Sequence, residues 1–179
     1  MTINLAPVRF SNTALLSSVV EELSWILEDS VAAINIELNI DEALSKERGQ
    51  YFSTQIIAQA IKEITGVNGN IVILTDVDLY IPVLTFVFGE AQLSGNYSVV
   101  SVCRLHEEFY SEKTDEALLK ERTMKEILHE LGHNFGLKHC LDWDCVMHSS
   151  TSIEEVDIKG DYYCKKCEKG ICQSEPVED

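Results

Sequence analysis

The amino-acid sequence predicts an α/β (α+β) fold, and three observations carry that expectation. Short β-type runs alternate with helical patterns along the first two thirds of the chain, the order of a layered α/β structure. A hydrophobic content of 45% in 179 residues is enough for one core. Beyond Gly136 the periodic patterns stop, and five of the six cysteines fall in that tail.

The elements follow in order. Residues 3–8 read as a first strand. Residues 13–27 place Leu15, Leu16, Val19, Val20, Leu23, Ile26 and Leu27 at steps of three and four, an amphipathic helix. Residues 33–40 return as a strand, and residues 52–64 carry Ile56, Ile57, Ala60, Ile61 and Ile64 at helical spacing before the loop of residues 66–69. Residues 71–75 are a short apolar run, a buried strand. Residues 83–88, preceded by Pro82 and ended by Gly89, and residues 97–104 are rich in β-branched and aromatic side chains and predict two further strands. Between residues 114 and 135, Leu118, Met124, Ile127, Leu128, Leu131 and Phe135 mark the longest helix. The tail reads as a small lobe folded around metal rather than around apolar surface.

Thirty acidic against fourteen basic residues give a formal charge of -16, unsuited to neutralising a phosphate backbone, so no nucleic-acid partner is expected. Neither a signal peptide nor a membrane span is recognisable, and a monomer in the reducing cytoplasm, with metal-bound thiolates rather than disulfides, is the expectation.

The longest helix carries the chemistry. His129 and His133, four residues apart, lie about 40° apart around a helix axis and about 6 Å along it, so both project toward one ion. Glu130 flanks that face and can hold a metal-bound water without being a ligand. Gly136 can adopt the left-handed conformation that ends helices, which lets the chain reverse and deliver His139 as third ligand. Given the chain's own frequencies, three His, one Glu and one Gly at these offsets arise by accident on the order of 10⁻⁵. A helical His alone is more often a satisfied polar residue, and a helical Glu a solvated one; the set is not explained that way. Three neutral imidazoles leave zinc its charge and an open fourth position, so bound water is acidified to a pKa of about 7 and Glu130 can take its proton. The implied chemistry is peptide-bond hydrolysis by general acid and base steps.

Cys140 and Cys145, then Cys164 and Cys167, form two pairs with tetrahedral zinc spacing. All four positions would be protein, so this second zinc would be structural, for two zinc ions per chain. Two disulfides or free thiols are the competing account. Cys103 reads as a small core residue, and Cys172 as a free terminal thiol or a competitor of Cys167.

The histidine motif running into Cys140, followed by Cys145-Val146-Met147 and Cys164-x-x-Cys167, resembles the archaemetzincins, a branch of the metzincin metalloproteases. Thr75-Asp76-Val77-Asp78-Leu79-Tyr80, Phe88-Gly89-Glu90-Ala91 and Ser101-x-x-Arg104-Leu105 are similar to that family's sheet segments. The resemblance implies a single catalytic domain over residues 1–179, with a twisted mixed sheet and helices. An N-terminal α/β subdomain (1–136) would end with the active-site helix, and a C-terminal subdomain (137–179) would hold the structural zinc. It further implies catalytic zinc on His129, His133 and His139, Glu130 as general base, Met147 in a turn beneath the metal, and residues 83–88 as an antiparallel edge strand that an extended peptide could join.

Weaker candidates have ordinary explanations. Asp76 and Asp78 end a strand, His106 and His148 lack partners at ligand spacing, and Tyr162 and Tyr163 suit packing near the cysteine lobe. The competing functional reading is a zinc-stabilised peptide-binding protein with little or no catalytic activity; retention of Glu130 favours the enzyme.

Overall fold

Residues 2–174 are described by a computed structural model, with side chains through residue 171. The elements run β1 (Thr2–Pro7), α1 (Thr13–Leu27), β2 (Ser30–Ala33), β3 (Leu44–Ser45), β4 (Gln50–Phe52), α2 (Ser53–Glu63), β5 (Asn70–Thr75), β6 (Leu79–Tyr80), β7 (Gly89–Ala91), β8 (Tyr97–Ser101), α3 (Glu116–Asn134), α4 (Ile153–Ile158) and α5 (Lys165–Ser174). The main sheet has the order β2-β1-β5-β8-β7, and β3, β4 and β6 form a second, small sheet. The first four strands are parallel, and β7 closes the edge antiparallel to β8, with Gly89, Glu90 and Ala91 opposite Val100, Val99 and Ser98. It is the α/β order that the sequence predicts and the mixed, helix-covered sheet that the resemblance implies.

Central strand β5 is buried along its whole length, as a strand covered on both faces must be. Its side chains alternate: Val72 and Leu74 join Leu15, Val19, Leu23, Ile127 and Leu131 on one face, while Ile71 and Ile73 join Ile56, Ile57 and Ala60 on the other. Helices α1 and α3 therefore cover one side and α2 the other. The buried tail residues Cys145, Val146, Met147, Ile153 and Val156 extend the first of these cores.

Three strand expectations need correction. Residues 34–40, expected to continue a strand, are irregular: the last ladder contact is Ile34 N–H to Leu5 O at 2.9 Å, because β1 ends at Pro7. The alternation of Ile34, Ile36 and Leu38 is real, since these side chains lean on the second core, but no partner strand accompanies it. Residues 83–88 are not the edge strand; that role falls to β7. Here Arg48 donates to the Leu84 and Thr85 carbonyls at 3.0 and 2.9 Å, and Gln50 donates to Thr85 O at 3.0 Å. Side chains thus partner the backbone at residues 84 and 85, and strand-like pairing is confined to the C-terminal end, where Val87 N–H donates to Leu79 O at 3.1 Å and Phe88 O accepts Ser101 N–H at 2.8 Å. Finally, β8 stops at Ser101, whose hydroxyl donates to Val77 O at 2.6 Å and accepts from Cys103 N–H at 3.1 Å. Cys103 is consequently half-buried in a turn, not a core residue. Among the described residues no helix is long and apolar enough to cross a membrane.

Candidate metal and catalytic site

Helix α3 begins at Asp115, whose carboxylate accepts Leu118 N–H at 2.9 Å, and ends in a glycine turn. Gly136 has φ 88°, and the bonds Gly136 N–H to His133 O (3.0 Å) and Leu137 N–H to Gly132 O (2.9 Å) close the left-handed cap. That reversal brings His139 back beside His129 and His133. The three imidazole centroids stand 4.8, 5.3 and 5.0 Å apart, and the three rings offer nitrogens within 4.8 Å of one another.

The rings are oriented from behind. His129 Nδ1–H donates to Val146 O and His133 Nδ1–H to Leu137 O, both at 2.8 Å. A carbonyl only accepts, so each Nδ1 carries the proton and each Nε2 keeps its lone pair for a metal. Burial, with Lys159 and the neighbouring imidazoles adding to it, lowers the pKa of His129 well below the ordinary value and keeps the ring neutral, the form that ligates. His139 is lowered for the same first reason. The donor set fits zinc with one position left open.

Glu130, 4% exposed, sits beside the histidines, and burial, then Glu126, raise its carboxyl well above the usual range. A carboxyl raised in this way takes up a proton more readily than an exposed one. Its room is made by Gly89 on β7: a Cβ there would approach Glu130 Oε1 to 2.6 Å and Val99 O to 2.9 Å. Met147 is fully buried under the helix, and a Cβ on Gly132 would come within 2.2 Å of its sulfur. Gly132 thus exists to let Met147 lie directly beneath the histidine turn.

The four cysteines Cys140, Cys145, Cys164 and Cys167 gather with their sulfurs within 4.8 Å of one another. The Cys140–Cys164 and Cys145–Cys167 Sγ pairs are 3.8 and 3.7 Å apart. A disulfide needs about 2.05 Å, whereas a zinc tetrahedron with bonds of about 2.3 Å spaces its sulfurs about 3.8 Å apart. This separation fits the metal and not the bridge. A backbone hydrogen bond at Cys167 is the largest cause that brings the Cys164 thiol down to about 7. The side chain of Cys172 lies outside the described residues.

The remaining sequence candidates have structural roles. Asp76 accepts the Ser11 N–H and hydroxyl at 2.8 Å each, and Asp78 takes a two-pronged bond from Arg104 at 2.7 and 2.8 Å. His148 Nδ1–H donates to Cys140 O at 3.0 Å and its ring lies 4.0 Å from Trp143, while His106 faces Glu108 at 3.6 Å. Half-buried Tyr163 donates to Leu128 O at 2.6 Å; Tyr162 is exposed. A cleft of about 780 Å³ opens over the histidines, bounded by residues 84–91 on one side and by Ser149, Ser150 and Thr151 on the other. Gly89 and the Glu126–Lys159 pair on its wall were not singled out from sequence. Glu126 lies one helical turn before Glu130 and was within reach of a periodicity argument; Lys159, 33 residues away, was not.

The sequence profile of peptidase family M54 matches residues 34–173. An archaemetzincin of Methanopyrus kandleri is 38% identical over 157 residues, covering 86% of this chain and 86% of that protein. An archaemetzincin of Thermococcus kodakarensis is 48% identical over 101 residues, a match spanning 56% of this chain and about half, 54%, of that relative. The crystal structure of archaemetzincin from Methanopyrus kandleri aligns at TM-score 0.84 and 35% identity, over 97% of this chain and 94% of that one.

Proposed function

Because this chain belongs to peptidase family M54, the zinc metallopeptidases called archaemetzincins, we propose that it hydrolyses peptide bonds with Glu130 as general base and with His129, His133 and His139 as the ligands of its catalytic zinc. The single observation that carries this reading is the convergence of three imidazoles, each of the two helical ones locked in its ligating tautomer, with a buried carboxyl beside them.

The zinc would supply Lewis acidity toward the substrate carbonyl and an acidified water. His129 and His133 hold their nitrogens on one face through the Val146 and Leu137 carbonyls, and His139 completes the set from beyond the turn. Glu130 takes a proton and returns it to the leaving amine; its depth in the site keeps bulk water from competing for that proton. Cys140, Cys145, Cys164 and Cys167 would hold a second, structural zinc, giving two ions per chain, and Met147 forms the floor under the histidine turn. Residues 1–136 and 137–179 act as two subdomains of one catalytic domain. The substrate is a peptide or protein, with edge strand β7 beside the cleft available for main-chain hydrogen bonds. A cytoplasmic monomer without nucleic-acid or membrane partners completes the reading, and the charge of -16 supports its nucleic-acid part.

Zinc-loaded protein should release fluorescence from a mixed quenched-peptide library. Removal of the more labile zinc should abolish that release and zinc should restore it. Peptide binding without turnover at any zinc loading would favour the non-catalytic peptide-binding protein instead.

A further inference from the structure

The cleft does not end at Glu130. One turn back along α3 its wall is formed by Glu126 and by Lys159, which caps α4, and the two are joined by a bond of 2.8 Å from Nζ to Oε1. Their side chains are 4% and 1% exposed, so this is a buried ion pair facing the cavity. Burying an ammonium is costly unless its donors are filled. Lys159 Nζ has three N–H donors, and among the described residues Glu126 accepts from it. Ser150, on the opposite wall of the same cleft, has a buried hydroxyl with no hydrogen-bond partner.

The other charged groups of the cleft are accounted for differently. Glu90 is held by the Ser53 and Thr54 hydroxyls, Glu130 belongs to the proposed chemistry, and Lys138 is exposed at the rim. Lys159 is therefore the one cation sunk into the cleft wall among the described residues, and Glu126 fixes where its spare donors point.

Resting on the peptidase reading, we infer that Lys159 is a specificity-determining residue that receives a substrate carboxylate, either an acidic side chain near the scissile bond or the free C-terminus of a short peptide. A carboxylate filling the spare donors makes charge-assisted hydrogen bonds, roughly twice as strong as those from a neutral amide oxygen. Glu126 neutralises part of the ammonium charge, so the gain is set by donors filled and amounts to roughly tenfold in affinity.

The test separates binding from turnover. Zinc-loaded Glu130→Gln protein is titrated by fluorescence anisotropy with labelled alanine peptides in which one Glu, or one Gln, is walked along the sequence, each peptide with a free or amidated C-terminus. Roughly tenfold tighter binding is expected for Glu at one position, or for the free C-terminus, and the peptide that shows it identifies the source of the carboxylate. That advantage should vanish when Lys159→Met and Glu126→Gln are added together, which leaves no unpaired buried charge, and should survive in Lys159→Arg. Equal binding of every Glu/Gln and acid/amide pair overturns the inference without requiring that any Lys159 variant fold. An advantage that persists in a folded double substitution overturns it too. Discrimination in binding, with no peptide turned over by the parent, would leave Lys159 as the receiver of a peptide carboxylate and remove the peptidase reading.

Discussion

The sheet and the cysteine lobe are held together by different physics. In β5, Ile71, Val72, Ile73 and Leu74 are all fully buried between two layers of helix, so the sheet is secured by apolar area. The lobe from residue 137 onward has two described helices of six and ten residues and only a few buried apolar side chains, and four sulfurs at metal spacing lie at its centre. The proposed active site straddles the two: α3 supplies His129, Glu130 and His133, while His139, the Val146 carbonyl and Met147 come from the other side. On the proposed reading, the helix is expected to form without metal and the floor beneath it is expected to depend on the cysteine-bound zinc.

The sharpest way to break that comparison is to remove one ligand from each metal set. Cys164→Ser should strip the structural zinc, open the lobe to limited proteolysis and cost more stability than any single core truncation, because metal affinity is folding free energy in so small a unit. His139→Ala should lose the other zinc while barely moving the thermal midpoint. Equal destabilisation in the two variants would contradict the division.

A second variant sharpens it from the apolar side. Leu74→Ala should cost about 2–5 kcal/mol in denaturant titration, as a cavity in a two-sided core does, and leave the zinc count unchanged. If its loss depends on whether zinc is present, the sheet is not independent of the lobe. The smallest effect is expected where the regions touch: Tyr163→Phe removes the bond to Leu128 O and should cost about 0.5–1.5 kcal/mol. A loss of several kcal/mol would make that contact a principal tie between the regions.

What could be read from sequence follows the same division. The α1 boundaries were legible because the apolar period runs unbroken from Leu15 to Leu27, and the histidine set because helix geometry converts spacing into direction. Residues 34–40 and 83–88 misled because strand-like composition reports burial and branching, not whether a partner strand is present. The first lost its partner at Pro7, and in the second Arg48 and Gln50 claim the Leu84 and Thr85 carbonyls, which leaves backbone pairing only at Val87 and Phe88. Cys103 misled because its strand ends two residues before it, at a serine that bonds backward. In the site, the ligands were local in sequence and legible. Gly89, the Val146 carbonyl and Lys159 were not, since each acts through a contact that only the fold creates.

The central claim is that Glu130 serves the proton and not the metal. Replacing it with Gln keeps the size and helix propensity of the side chain and removes the base. Measured side by side on parent and Glu130→Gln protein, zinc content should stay at two per chain while the rate on a peptide the parent cleaves falls about 10²- to 10⁴-fold. A variant that retains both its zinc and the full rate would show that Glu130 is not the base; a variant that loses zinc would show that it belongs to the metal.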